Sequence, residues 1–184
     1  MKGISVVFDT EFDEGWRSRM EIVLIATWDG QEGAQIYTDI AMTRKMIGCP
    51  VHDLSDFIWE EQAPLVGHNL HGHFKNECFD LLHAVKEASA DVLQNEGKRF
   101  ALFDLARWNR CQTVPVEMYS KWRRGLARIR GQHIKVARWA IEDAMMCYDL
   151  YMKVRKTGRV RFLDVKTGKK AFTEVSWGKT EEEE

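Results

Sequence analysis

The chain has no run of 18 apolar residues, no CxxC pair among its four cysteines, no internal repeat and no Pro/Gly/Ser-rich linker. The first absence argues against a membrane-spanning helix. The second removes the usual signatures of a zinc ribbon or a dithiol redox motif. Cys49, Cys78, Cys111 and Cys147 are widely scattered and read as reduced thiols in a cytoplasmic protein. Without repeats or linkers, 184 residues suit one domain able to bury a full core. Met1–Ile4 leads directly into an apolar strand, so no cleaved leader is expected.

A net charge of −1 conceals an asymmetry. Residues 1–97 carry 7 Lys/Arg against 17 Asp/Glu, and residues 98–184 carry 20 against 11. The second half can therefore attract a polyanion while the first half holds acids, which suits a metal site beside a basic surface. Two solvated faces of opposite sign would give the same count.

Periodicity orders the chain. Ile4–Phe8, Glu21–Trp28 and Gln35–Asp39 read as an antiparallel meander turned at Asp29-Gly30 and Gly33. Helical pieces are expected at 41–46 and 54–61 on either side of Cys49-Pro50, a short buried strand at 64–67, and a helix over 74–90. Phe100–Phe103 reads as a strand, with Asp104 capping a helix from Leu105. Val136–Arg155 carries an apolar stripe through Val136, Trp139, Ala140, Ala144, Cys147, Leu150 and Tyr151. A hairpin follows, over Arg159–Val165 and Ala171–Trp177. The expected division is a domain over 1–157, a hairpin appendage over 158–178 and a disordered acidic tail over 179–184.

Three constellations carry chemistry. Val6-Val7-Phe8-Asp9-Thr10-Glu11-Phe12 ends a strand in two carboxylates one residue apart. Residues i and i+2 share a face of a strand, so Asp9 and Glu11 project together. A divalent cation relieves the repulsion between them, which makes the pair a candidate Mg²⁺ or Mn²⁺ site; solvated acids at an exposed strand end are the plainer alternative. Leu65-Val66-Gly67-His68-Asn69 turns toward a helix, where α/β sites form. The third is Trp139-Ala140-Ile141-Glu142-Asp143 on the last helix.

In this order the three resemble the motifs of the DEDD superfamily of 3′–5′ exonucleases, with Phe103-Asp104-Leu105-Ala106-Arg107 similar to a segment many members carry between the second and third. The chain after Cys147 resembles the helicase-associated branch. The resemblance implies a ribonuclease-H-like α/β fold, a mixed five-stranded sheet flanked by helices with a C-terminal β-hairpin. It implies that Asp9, Glu11 and Asp143, with a fourth acid from the second motif, hold two Mg²⁺ or Mn²⁺ ions that hydrolyse terminal phosphodiesters of single-stranded DNA or RNA. It also implies a helicase as a possible partner.

Two departures bear on this reading. The usual register of the second motif places Lys75 where an acid belongs, and Asp80 after Phe79 is the favoured substitute, with Glu77 another. The family places Tyr or His four or five residues before the last acid, where this chain has Trp139 and Arg138. Neither accepts a proton, and Trp139 reads as a core residue. A catalytically degenerate nucleic-acid- or helicase-binding domain is thus the rival expectation. Zinc ligation by His68, His71, His73 and Cys78 is disfavoured because no second ligand pair exists.

Between Met118 and Ile141 there are seven Lys/Arg and no acid. Lys121, Trp122, Arg123, Arg124, Arg128, Arg130 and Arg138 are the candidate contacts to a single strand, joined by His68 and Asn69. A second cluster, Lys153, Arg155, Lys156, Arg159 and Arg161, either extends that track or meets a partner.

Overall fold

The computed structural model describes residues 1–12, 18–31, 33–57, 64–70, 78–89, 98–111, 131–164 and 167–177, for 7–12, 18–21 and 98–99 the backbone alone. Two sheets carry the nine strands among them. The larger has the order β4-β3-β2-β1-β5-β6: Val51–His52, Ala34–Thr38, Ser18–Trp28, Lys2–Phe12, Leu65–Gly67 and Cys78–Asp80. The meander is antiparallel through β1, β2 and β3, and β4, β5 and β6 add parallel strands at its flanks. The expected five strands are six: β4 and β6 are additional, and Phe100–Phe103 does not join this sheet. Where apolar spacing presents one helix over 74–90, Cys78–Asp80 is strand, and among the described residues only Leu81–Ala88 is helical (α2).

The longest helix, α4 (His133–Thr157), follows α1 (Arg44–Ile47), α2 and α3 (Leu102–Trp108). It lies across β1 and β2 on a small-residue stripe, Ala137, Ala140 and Ala144, packed with Leu24, Ala26 and Ile36. Small side chains let the helix approach the sheet closely. Gly3 takes this furthest: a Cβ there would overlap the Ala144 carbonyl oxygen. Ala144 and Tyr148 thus lie on Gly3, while Ala137 and Ala140 cluster with Leu24, the partner of Val7. The opposite sheet face buries Ile4, Ile25 and Tyr37 against Phe57 and Leu70. Among the described residues no helix is long and apolar enough to cross a membrane.

The C-terminal hairpin, β8 (Arg159–Asp164) and β9 (Lys169–Glu174), joins β7 (Lys98–Arg99) in a second, three-stranded sheet. Its inward residues Val160 and Phe162 are fully buried with Leu105, Leu150 and Trp177. The hairpin is part of the core rather than standing apart from it. α3 begins at Leu102, not Leu105, and Asp104 sits in its first turn instead of capping it. The reason is burial: Leu102, Phe103, Leu105 and Ala106 all enter the core, so the helix takes in the residues that read as a strand. Of the piece expected at 54–61, Leu54–Asp56 forms a 3₁₀ turn.

Candidate functional site at the exit of the parallel strands

Asp80 ends β6 and opens α2. Its Oδ1 accepts the backbone N–H groups of Leu82 (2.8 Å), Asn69 (3.0 Å) and His83 (3.3 Å), and its Oδ2 accepts that of Leu70 (2.8 Å). One carboxylate thus caps α2 and fastens the chain leaving β5 to it. Asn69 makes this possible by adopting a left-handed backbone conformation, φ 64, which Asn tolerates better than most residues. Burial alone would raise the Asp80 carboxyl, but the four N–H donors outweigh it and hold it below its ordinary range.

His68 precedes that turn and points inward. Its Nε2 lies 2.6 Å from the Phe100 carbonyl oxygen. A carbonyl only accepts, so Nε2 carries the proton and Nδ1 is left as an acceptor. Burial pushes the imidazole pKa down, against the Phe100 hydrogen bond and the charges of Asp80 and Asp143. Cys147, wholly buried, is pushed well above the usual thiol range by burial first, then by Asp143 and Asp80. Two separate side chains thus lie within electrostatic reach of both carboxylates. Asp80 and Asp143 therefore both bear electrostatically on His68 and on Cys147.

Asp9 and Glu11 stand elsewhere on the strand axis. Their backbones pair with Glu21 and Arg19, within β1 rather than at its end, and their side chains lie outside the described part of the structure. β5 pairs with β1 only at Lys2 and Gly3. Asp9 is five residues beyond Ile4, the position level with Gly67, or about 16 Å at ~3.3 Å per residue. Among the described residues no three His, Cys, Asp or Glu side chains converge as a metal group.

The donor chemistry of Asp80 admits a cation within limits. Three N–H groups occupy Asp80 Oδ1, whereas Oδ2 accepts one and keeps a lone pair. Asp80 fits as a single-oxygen ligand, and its depressed pKa keeps it ionised as a ligand must be. Asp143 brings a second carboxylate.

Several expected site residues make contacts within the fold. His68 is partly buried, and its Nε2 is engaged by the Phe100 carbonyl. The exposed Asn69 contributes its backbone N–H to Asp80. Arg138 is exposed and donates to the Met46 carbonyl, tying α4 to α1. Trp139 is 3% exposed, a core residue with the Lys135 ammonium 5.3 Å from its ring centroid. Lys121, Trp122, Arg123, Arg124, Arg128 and Arg130 lie outside the described residues, as do His71, His73, Lys75 and Glu77. The partnership of His68 with Phe100 had no signal in the sequence, since a backbone carbonyl carries no residue identity. The chain matches no family model, no curated protein and no solved structure.

Proposed function

We propose that this chain is a metal-dependent 3′–5′ exonuclease with a ribonuclease-H-like fold, acting on single-stranded DNA or RNA ends. The observation that carries the reading is that Asp80, tied to the exit of β5 through Asn69 and Leu70, and Asp143 on α4 both bear electrostatically on His68 and Cys147. The meander β3-β2-β1 continued by parallel β5, with a long helix across it, suits the same fold. Asp9, Glu11, Asp80 and Asp143 are the proposed metal-binding acids. Two Mg²⁺ or Mn²⁺ ions held there would supply an activated water and stabilise the leaving 3′-oxygen. The chain's own part is to keep Asp80 ionised through its four N–H donors, and to exclude Arg138 and Trp139 from proton transfer. The four free cysteines fit a reducing compartment, the cytoplasm.

Digestion of 5′-labelled and 3′-labelled single strands tests this. An exonuclease of this polarity shortens the 5′-labelled strand one nucleotide at a time and releases the 3′ label as a mononucleotide at once. Internal fragments from either would mean an endonuclease and overturn the reading.

A specific observation favours a second reading, a non-cleaving domain that binds nucleic acid or a helicase. Asp80 is already engaged by four N–H donors, and the Asp9 backbone lies about 16 Å along β1 from the level of Gly67. That domain would bind single strands in a salt-sensitive way with no metal-dependent turnover.

A further inference from the structure

The last turn of α3 faces the outer side of the β8–β9 hairpin across a groove of about 460 Å³. Its walls are fixed together by Asn109, 6% exposed, whose Nδ2 donates to the carbonyls of Leu105 (2.8 Å) and Arg161 (2.9 Å). Asn109 Oδ1 accepts the Arg161 N–H in return (2.9 Å). Arg110, in the left-handed conformation at φ 59, ends the wall, and its carbonyl accepts Lys153 Nζ at 2.7 Å. The groove is therefore a rigid feature of the fold.

Its lining is cationic and aromatic: Arg107, Arg110, Arg161 and Lys170, with Trp108 and Phe172. Among the described residues no carboxylate lines it, and none of the four cations forms an ion pair. Lys170 Nζ and the Arg107 guanidinium lie 5.1 and 5.8 Å from the Trp108 ring centre, so Trp108 holds cations in place. Phe172 pairs across the hairpin with Arg161 and is 55% exposed, with the Arg159 guanidinium 5.4 Å from its centre. Four like charges gathered without counter-charge favour a polyanion, and an exposed ring among them favours one that carries stackable bases.

We propose that this groove binds a single-stranded nucleic-acid chain, phosphates on Arg107, Arg110, Arg161 and Lys170 and a base on Phe172. It shares its ligand class with the function proposed above but requires no cleavage. α3 also links the two places. Phe100, which holds His68, lies just before its first turn, and Leu102–Trp108 spans about 10 Å at ~1.5 Å per residue. A strand seated in the groove is held near the Asp80–Asp143 edge.

Fluorescence anisotropy of the full chain with labelled oligothymidylate or oligouridylate of about 20 nucleotides, longer than a typical single-strand site, tests this in EDTA. Exchanging Arg161→Ala and Lys170→Ala together should weaken binding at least about tenfold and flatten the slope of log K against log salt by about 1.4, ~0.7 per phosphate. Phe172→Ala should weaken binding by about fivefold or more with the slope unchanged. Lys45→Ala, an exposed cation on α1, should bind as wild type. Should the double variant melt early, Lys170→Glu alone carries the same expectation, since that side chain is exposed. Wild-type affinity in the groove variants, an equal loss in Lys45→Ala, or equal competition by duplex DNA or polyglutamate would overturn the proposal. EDTA removes metal-dependent cleavage, so failure of binding and failure of the exonuclease reading are separate results.

Discussion

Replacing Asp80 by Ala separates two roles that a single carboxylate could have. If Asp80 ties β5 to α2, its loss leaves four N–H groups without their acceptor. Those of Asn69 and His83 lie at exposed residues and turn to water at little cost. Loss of the α2 cap costs about 1 kcal/mol. The N–H of Leu70, a residue 5% exposed, stays shielded and costs about 1–3 kcal/mol. Together these leave a net loss of about 2–4 kcal/mol. Asp80→Asn keeps one acceptor oxygen and should lose roughly half as much. Equilibrium urea unfolding, followed by tryptophan fluorescence and far-ultraviolet circular dichroism, measures it. With a slope of about 2 kcal/mol per molar, the Asp80→Ala midpoint falls by about 1–2 M at unchanged slope. A carboxylate kept only as a metal ligand behaves oppositely, since removing a partly buried charge from the metal-free protein costs nothing or stabilises. An Asp80→Ala midpoint at or above that of wild type would refute the tie.

Three further outcomes are expected. Gly3→Ala places a methyl group on the Ala144 carbonyl and the Tyr148 Cβ, so α4 must move off β1; a loss of about 2–3 kcal/mol should appear as a lowered thermal midpoint, and an unchanged one would contradict that packing. His68 has a folded pKa below its unfolded value of about 6.5, so its contribution is complete above pH ~6.5 and is lost as pH falls from there through the folded value. Urea midpoints taken between about pH 8 and 5 should decline in wild type and less in His68→Asn; Asp80, also depressed, adds its own loss only below about pH 4. Burial raises all four thiols, Cys111 to about 11, so iodoacetamide at about pH 8 should label the native protein slowly and all four cysteines quickly in urea. Rapid native labelling of Cys147, read by mass spectrometry, would contradict its burial.

Elements whose period persisted were legible. The α4 stripe, from Ala137 to Val154, repeats over about five turns, and of its expected members Trp139, Ala140, Ala144, Cys147, Leu150 and Tyr151 are buried while Val136 is partly so. The meander and the hairpin showed through alternation and their Gly turns. Short elements were not legible. Cys78, Leu81, Leu82 and Val85 fit a helical period, and three residues of strand, Cys78–Asp80, cannot show a period of their own. The two-residue strands β4 and β7 exist only because neighbours offer hydrogen-bonding edges. At the site, Asp80 stood out in the sequence as the acid after Phe79, yet its tie to Asn69 and Leu70 depends on a backbone turn. The groove of Trp108, Arg161 and Lys170 joins segments that share no motif, so only the fold brings them together.

The most direct test of the proposed function is a time course on 5′-labelled single-stranded DNA and RNA with Mg²⁺, Mn²⁺ or EDTA, using wild type, Asp9→Ala and Asp143→Asn. A ladder shortening from the 3′ end in either metal, absent in EDTA and lost in both variants, is the expected result. Intact substrate with wild type in both metals, or a ladder undiminished in the variants, would contradict it.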